Sequence, residues 1–238
     1  ALRGHYGHTF GVKGALLCLA GGVTFEQAAT AVQNKLGSWR GQTPSAPPIE
    51  LSQPHSIHLE QDTAQVQIGL VYPEVSPGHP EFYTARLGLE VLSGGMSSRL
   101  FTEVREKRGL VYSVSASAGG VRGYSYMQAY AGTRPERAQE TLAVLQQEIE
   151  RLSHGVSPDE LQRAKLGLRT SLLMAEESAR SRSSSMARDL FMLGRIRSLS
   201  EIEAEIEAVS LDRLNQHLEQ TPYTHPWIAT LGSVSVGA

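Results

Sequence analysis

The chain reads as an α+β protein, a two-layer sandwich of a mixed or antiparallel sheet with helices on one face. Three patterns predict this: alternating apolar strands follow the first helix, hairpin-like segments occupy the middle, and capped amphipathic helices cluster in the second half. No repeat of fixed period interrupts that order.

Residues 13–21 form an apolar run, read as a strand, that ends at Gly21-Gly22. Thr24-Phe-Glu-Gln27 is a capping box, and Phe25, Ala29, Val32 and Leu36 then recur at helical spacing before Gly37, which suits a left-handed stop. Residues 38–54, rich in Ser, Pro and Gln without periodicity, read as a linker. The expected organisation is therefore a strand-helix segment over 1–37, a linker over 38–54 and one α+β domain over 55–238.

Within that domain, residues 55–60 and 64–72 alternate and are expected to pair as two strands. A turn at Ser76-Pro-Gly-His-Pro80 leads to a helix carrying Phe82, Ala85, Leu89 and Leu92, broken by Gly94-Gly95. A short helix is expected from Ser97 to Lys107, closed by Gly109. Residues 111–118 and 125–132 make a second hairpin around the glycines at 119–123. Thr133-Arg-Pro-Glu136 and Ser157-Pro-Asp-Glu160 read as capping boxes with proline in the first turn, each opening a long helix. Further helices follow through Met186, Leu190 and Leu193, after Ser198-Leu-Ser-Glu201, and through Leu214 and Leu218, with a last strand over 226–232.

Composition removes several functions. Twenty-two basic against 24 acidic residues leave a formal charge of −2, which offers no footprint for a nucleic-acid backbone. No apolar stretch approaches the roughly 20 residues needed to span a bilayer. The lone Cys18 makes no internal disulfide, so the fold needs no oxidising compartment, and cytoplasmic and periplasmic locations both suit it.

The only His-x-x-His pairs are His5/His8 and His55/His58. Residues three apart on a strand face opposite sides, which separates the second pair. The first pair can meet on a helix but lacks a third ligand, so no metal site is expected in this chain. No Gly-x-Ser-x-Gly elbow is present. Gly94-Gly-Met-Ser-Ser98 lacks the Walker lysine and reads as a glycine break followed by a serine cap, although such a turn also presents backbone amides.

The remaining candidate is Ser97 to Val114, a helix, a glycine and a strand in eighteen residues. Leu100, Phe101 and Val104 are apolar anchors, Arg105 supplies a forked donor, and the Gly109 turn returns Tyr112, a phenol donor, toward the helix end. Such a pair has the chemistry to grip a peptide bond. The same residues have a plain alternative: Arg105 on a solvated face among Glu103, Glu106 and Lys107, and Tyr112 on a buried strand face with Val114, Ala116 and Ala118.

Leu92-Ser-Gly-Gly-Met-Ser-Ser-Arg-Leu-Phe101, Val104-Arg-Glu-Lys-Arg-Gly-Leu-Val-Tyr112 and the helices after Ser157 closely resemble the C-terminal, non-zinc half of the pitrilysin-type zinc peptidases, peptidase family M16, which includes mitochondrial processing peptidase and insulin-degrading enzyme. Residues 12–39 resemble the closing strand and helix of the preceding family domain. The resemblance implies a LuxS/MPP-like metallohydrolase fold, substrate binding by Arg105 and carbonyl or oxyanion stabilisation by Tyr112, which keep the family's seven-residue separation. It also implies a peptide substrate and a partner domain or subunit that bears His-x-x-Glu-His and the zinc, since this chain lacks that motif. Under this resemblance the chain is a C-terminal fragment of a longer peptidase, inactive alone. A non-catalytic scaffold subunit of the same family is the alternative, and apolar helix stripes left uncovered favour self-association into a homo-oligomer.

Overall fold

The computed structural model describes residues 1–45 and 48–237. In chain order the elements are α1 (Leu2–Thr9), α2 (Phe25–Leu36), β1 (Ser56–Glu60), β2 (Val66–Glu74), α3 (Phe82–Ser93), a π-helical turn (Phe101–Glu106), β3 (Val111–Val121), β4 (Tyr124–Thr133), α4 (Ala138–Glu150), α5 (Pro158–Glu176), α6 (Ala179–Leu193), α7 (Leu199–Glu207), α8 (Leu211–Gln220) and β5 (Trp227–Gly232). They fall into two compact units, Ala1–Glu50 with Leu173–Arg197, and Leu51–Leu172 with Ser198–Ala238.

The second unit is the α+β sandwich. Its sheet runs β1-β5-β2-β4-β3, with β1 parallel to β5 and every other pairing antiparallel. Strand β2 is central, and its pleat sends Val66, Ile68, Leu70 and Tyr72 to one side, where all four are buried. Met127, Ala129 and Ala131 of β4 join them, and α3, α4, α7 and α8 close this face with residues such as Leu92, Leu145, Ile206 and Leu218. Burying a leucine of this kind contributes about 2 kcal/mol. The other phase of the strands stays open to solvent: Ile57, Leu59, Ser115, Gln128, Tyr130 and Ala229 are exposed, and none is charged.

Caps set the helix starts. Thr24 and Gln27 form the reciprocal box at α2, and Ser157 and Glu160 form the one at α5 through Ser157 N–H to Glu160 Oε2 (2.8 Å) and Glu160 N–H to Ser157 Oγ (3.3 Å). Ser198 Oγ likewise accepts the Glu201 N–H at 3.1 Å.

Four local expectations are corrected. Residues 14–20 make no strand: next to them Lys13 forms an isolated bridge with Gln42, and the first unit offers the run no neighbouring strand among the described residues. Strands β1 and β2 are not a hairpin, since β5 lies between them. The connection over 61–65 has to cross two strand spacings, about 10 Å, which five extended residues span easily. Gly37 keeps right-handed helical angles. Thr133 caps no helix: it remains in β4, its hydroxyl donates to the Leu110 carbonyl at 2.7 Å, and α4 begins after a short 3-10 turn.

One ion pair ties the sandwich together locally. Arg99 donates from Nε to Glu160 Oε1 (2.7 Å), from Nη2 to Glu160 Oε2 (3.0 Å) and the Gly155 carbonyl (2.9 Å), and from Nη1 to the Arg151 carbonyl (3.2 Å). The Arg99 side chain is only 9% exposed. Its bidentate hydrogen bond, with help from Ser157, holds the Glu160 carboxyl well below its ordinary value of 4.5, at about 2. The pair's contribution is therefore fully present above pH 4.5, the titration range of the unfolded chain, and is lost as pH falls toward 2. Urea denaturation across that range is expected to show this loss of stability, and Arg99→Met to remove about 2 kcal/mol at neutral pH, somewhat less than for a fully buried pair, while flattening the acid limb.

Candidate functional site

The segment that carries Arg105 and Tyr112 is built from two backbone irregularities on either side of one glycine. The expected helix over 97–107 is not a regular α-helix: Phe101–Glu106 winds as a π-turn, with the Lys107 N–H bonded to the Thr102 carbonyl at 2.9 Å. Such wide turns recur at functional sites. Leu100 and Val104, both fully buried, fasten it to the core. Gly109, at φ +55°, then reverses the chain, with its N–H on the Arg105 carbonyl (3.1 Å) and the Leu110 N–H on the Val104 carbonyl (3.1 Å).

The second irregularity lies in β3. Val111 pairs with Thr133 and Ser113 with Gly132, so Tyr112 is the extra residue of a bulge. Strict alternation from Val114, Ala116 and Ala118 puts Tyr112 on the buried face; the bulge breaks the phase and leaves the ring 79% exposed. The alternative of a buried tyrosine is thus set aside by one inserted residue. Its hydroxyl has no hydrogen-bond partner among the described residues.

Arg105 is also exposed, its guanidinium carbon 4.9 Å above the centroid of the Phe101 ring. It makes no ion pair among the described residues. Its basic neighbours do: Lys107 Nζ lies 2.7 Å from Glu103 Oε1, and Arg108 Nη1 lies 2.8 Å from Glu103 Oε2 and 2.7 Å from the Glu103 carbonyl. Hydrogen bonds from Lys107 and then Arg108 lower the Glu103 pKa. One carboxylate thereby engages two cations and leaves Arg105 without an ion pair on this turn. Nearby, burial raises the pKa of Glu148 on α4, with Arg151 opposing it.

The Glu103–Lys107 contact is legible from i,i+4 spacing, but Arg108 reaches Glu103 across five residues, a spacing only the π-turn brings into range. The Arg99–Glu160 pair spans sixty-one residues and left no local signal beyond the Ser157 box. His5 and His8 sit on α1, where His8 Nδ1 meets the Gly4 carbonyl at 2.7 Å; His58 Nδ1 meets Thr230 Oγ1 at 2.9 Å. Among the described residues no three His, Cys, Asp or Glu side chains converge on a metal position, so zinc does not fit this chain's own donors. No helix among them is long and apolar enough to cross a membrane.

A five-stranded mixed sheet backed by helices defines the class of this domain as α+β. Residues 2–168 match the family described as the peptidase M16 inactive domain, and the chain belongs to that family. It is 32% identical over 157 residues to the zinc protease YmxG of Bacillus subtilis, covering 66% of this chain and 38% of that one. It is 29% identical over 207 residues to a zinc protease of Mycobacterium bovis, covering 84% of this chain and 47% of the relative. The chain thus spans less than half the length of these relatives. Among solved structures, a peptidase M16 inactive domain from Pseudomonas fluorescens superposes with a TM-score of 0.76 at 22% identity, covering 91% of this chain and 53% of that one. A chain of Complex III2 from Candida albicans reaches 0.77 at 18% identity, covering 90% of this chain and 54% of that one. These two likenesses concern the fold.

Because Gly109 occupies the left-handed region, Gly109→Ala is expected to cost about 1 kcal/mol in urea denaturation, and Gly109→Asn clearly less, since asparagine tolerates that region.

Proposed function

We propose that this chain is the substrate-binding half of a zinc peptidase and that it completes an active chamber with a zinc-bearing domain or subunit. The observation that carries the reading is the exposure of Arg105 and Tyr112, both without polar partners, on one π-turn-glycine-bulge segment. Family membership and relatives named zinc proteases, which are about twice as long, support it.

In this reading Arg105 offers its planar donors to a carbonyl or carboxylate oxygen of an extended peptide. Tyr112 donates its hydroxyl proton in a hydrogen bond to the scissile carbonyl oxygen, an interaction that strengthens as negative charge develops there. The open, uncharged sheet face beside β3 lets a peptide approach without meeting a competing ion pair. The companion's zinc would supply the activated water; among the described residues no donor set takes that part.

The reading extends to the organisation of the chain: residues 1–37 close the neighbouring domain, 38–54 link, and 55–238 bind substrate. Two features of the first unit support this. Leu16, Leu17 and Leu19 are exposed, and α2 buries no residue at all despite its apolar stripe. The likeness to a Complex III2 chain favours a second reading, a scaffold subunit without catalytic duty.

Mixing the chain with its zinc-bearing companion and measuring peptide cleavage separates the two. Tyr112→Phe is expected to lower kcat about a hundredfold, and Arg105→Ala chiefly to raise KM, by roughly tenfold. Unchanged cleavage by both variants overturns the assignment and favours the scaffold.

A further inference from the structure

The Gly94-Gly-Met-Ser-Ser98 turn, which the peptidase reading leaves without a role, forms one wall of a cleft. The opposite walls come from the end of α3 and the second turn of α5, and the lining includes Glu90, Gly94, Gly95, Ser97, Arg163 and Ala164. Its volume is about 170 Å³, room for several water molecules. The Ser98 hydroxyl donates its proton to the Gly95 carbonyl at 2.6 Å, which leaves it only acceptor capacity. Glu160, at the rim, is consumed by Arg99.

Two opposite charges line the cleft, Glu90 half-buried and Arg163 exposed. The Glu90 carboxylate makes no hydrogen bond and no ion pair among the described residues, and neither does the Arg163 guanidinium. They do not pair with each other although both line the cleft. Burial raises the pKa of Glu90, and Arg86, one turn earlier on α3, offsets that only in part. Gly167 keeps the space clear: a Cβ there lies 3.0 Å from Glu90 Oε1, so any larger residue crowds the carboxylate. A glycine in the middle of a helix costs about 1 kcal/mol relative to alanine, and room for Glu90 is the local reason this structure offers for it.

The charge pattern selects the ligand class. A simple anion meets repulsion from Glu90, and a simple cation meets repulsion from Arg163. A divalent ion finds a single free carboxylate. We propose that the cleft binds a small zwitterion, a free α-amino acid, whose ammonium group pairs with Glu90 and whose carboxylate takes the forked donors of Arg163. The lining of this site includes neither Arg105 nor Tyr112.

Titrating the complete 238-residue chain with L-alanine and L-serine, followed by amide NMR shifts, tests it. Saturable shifts at Gly94 and Gly95 are expected, with ethylamine and acetate each binding about tenfold more weakly or worse. Glu90→Gln and Arg163→Met, each verified as folded by circular dichroism, are expected to weaken alanine binding about tenfold or more. The proposal is overturned if neither amino acid produces saturable shifts up to roughly 50 mM, where a site of about millimolar affinity is filled. It is equally overturned if ethylamine or acetate alone binds as well as alanine, or if both variants bind alanine unchanged.

Discussion

The bidentate pair between Arg99 and Glu160 is the constraint on which the local architecture rests. Arg99 stands just before the π-turn, and Glu160 in the first turn of α5, so the pair joins segments that the sequence keeps sixty-one residues apart. The same guanidinium takes the carbonyls of Arg151 and Gly155 at the end of the helical stretch after α4. Three chain segments thus share one cation. A guanidinium is suited to this because its donors diverge in a plane, which a lysine ammonium does not offer.

From that anchor the chain reaches solvent in a controlled way. Leu100 and Val104 hold the inner side of the π-turn, and the wide turn leaves Arg105 outside. The bulge at Tyr112 then repeats the same effect in a strand, adding one residue so that a side chain otherwise directed inward faces water. Glu103 holds both Lys107 and Arg108 by ion pairs and leaves a single unpaired guanidinium on the turn. Irregular backbone and selective ion pairing together define the exposed pair.

The two units differ in how completely they satisfy their apolar residues. The sandwich of residues 51–172 and 198–238 has one continuous core, from β2 outward to α8. The unit of residues 1–50 and 173–197 leaves much of its apolar surface in water, including Phe25, Leu17 and Met174. Large uncovered apolar surface of this kind is characteristic of regions that meet another surface.

Much of this protein was legible in its residues. The period-two pattern of Val66, Ile68, Leu70 and Tyr72 and the boxes at Thr24 and Ser157 encode their structure locally, through pleat geometry and unsatisfied helix amides, and each appears as read. The segment containing Arg105 and Tyr112 was also recognisable, and so was the family. Whether Tyr112 faces core or solvent was not, because a bulge depends on how β3 registers against β4. Strand order was hidden for the same reason: β5 enters between β1 and β2 from far along the chain, and no local pattern encodes a partner chosen by global packing. Local periodicity therefore determined the elements and which face of each is apolar, while long-range pairing, register and the Arg99 clamp decided which polar groups are spent inside the fold and which remain free at its surface.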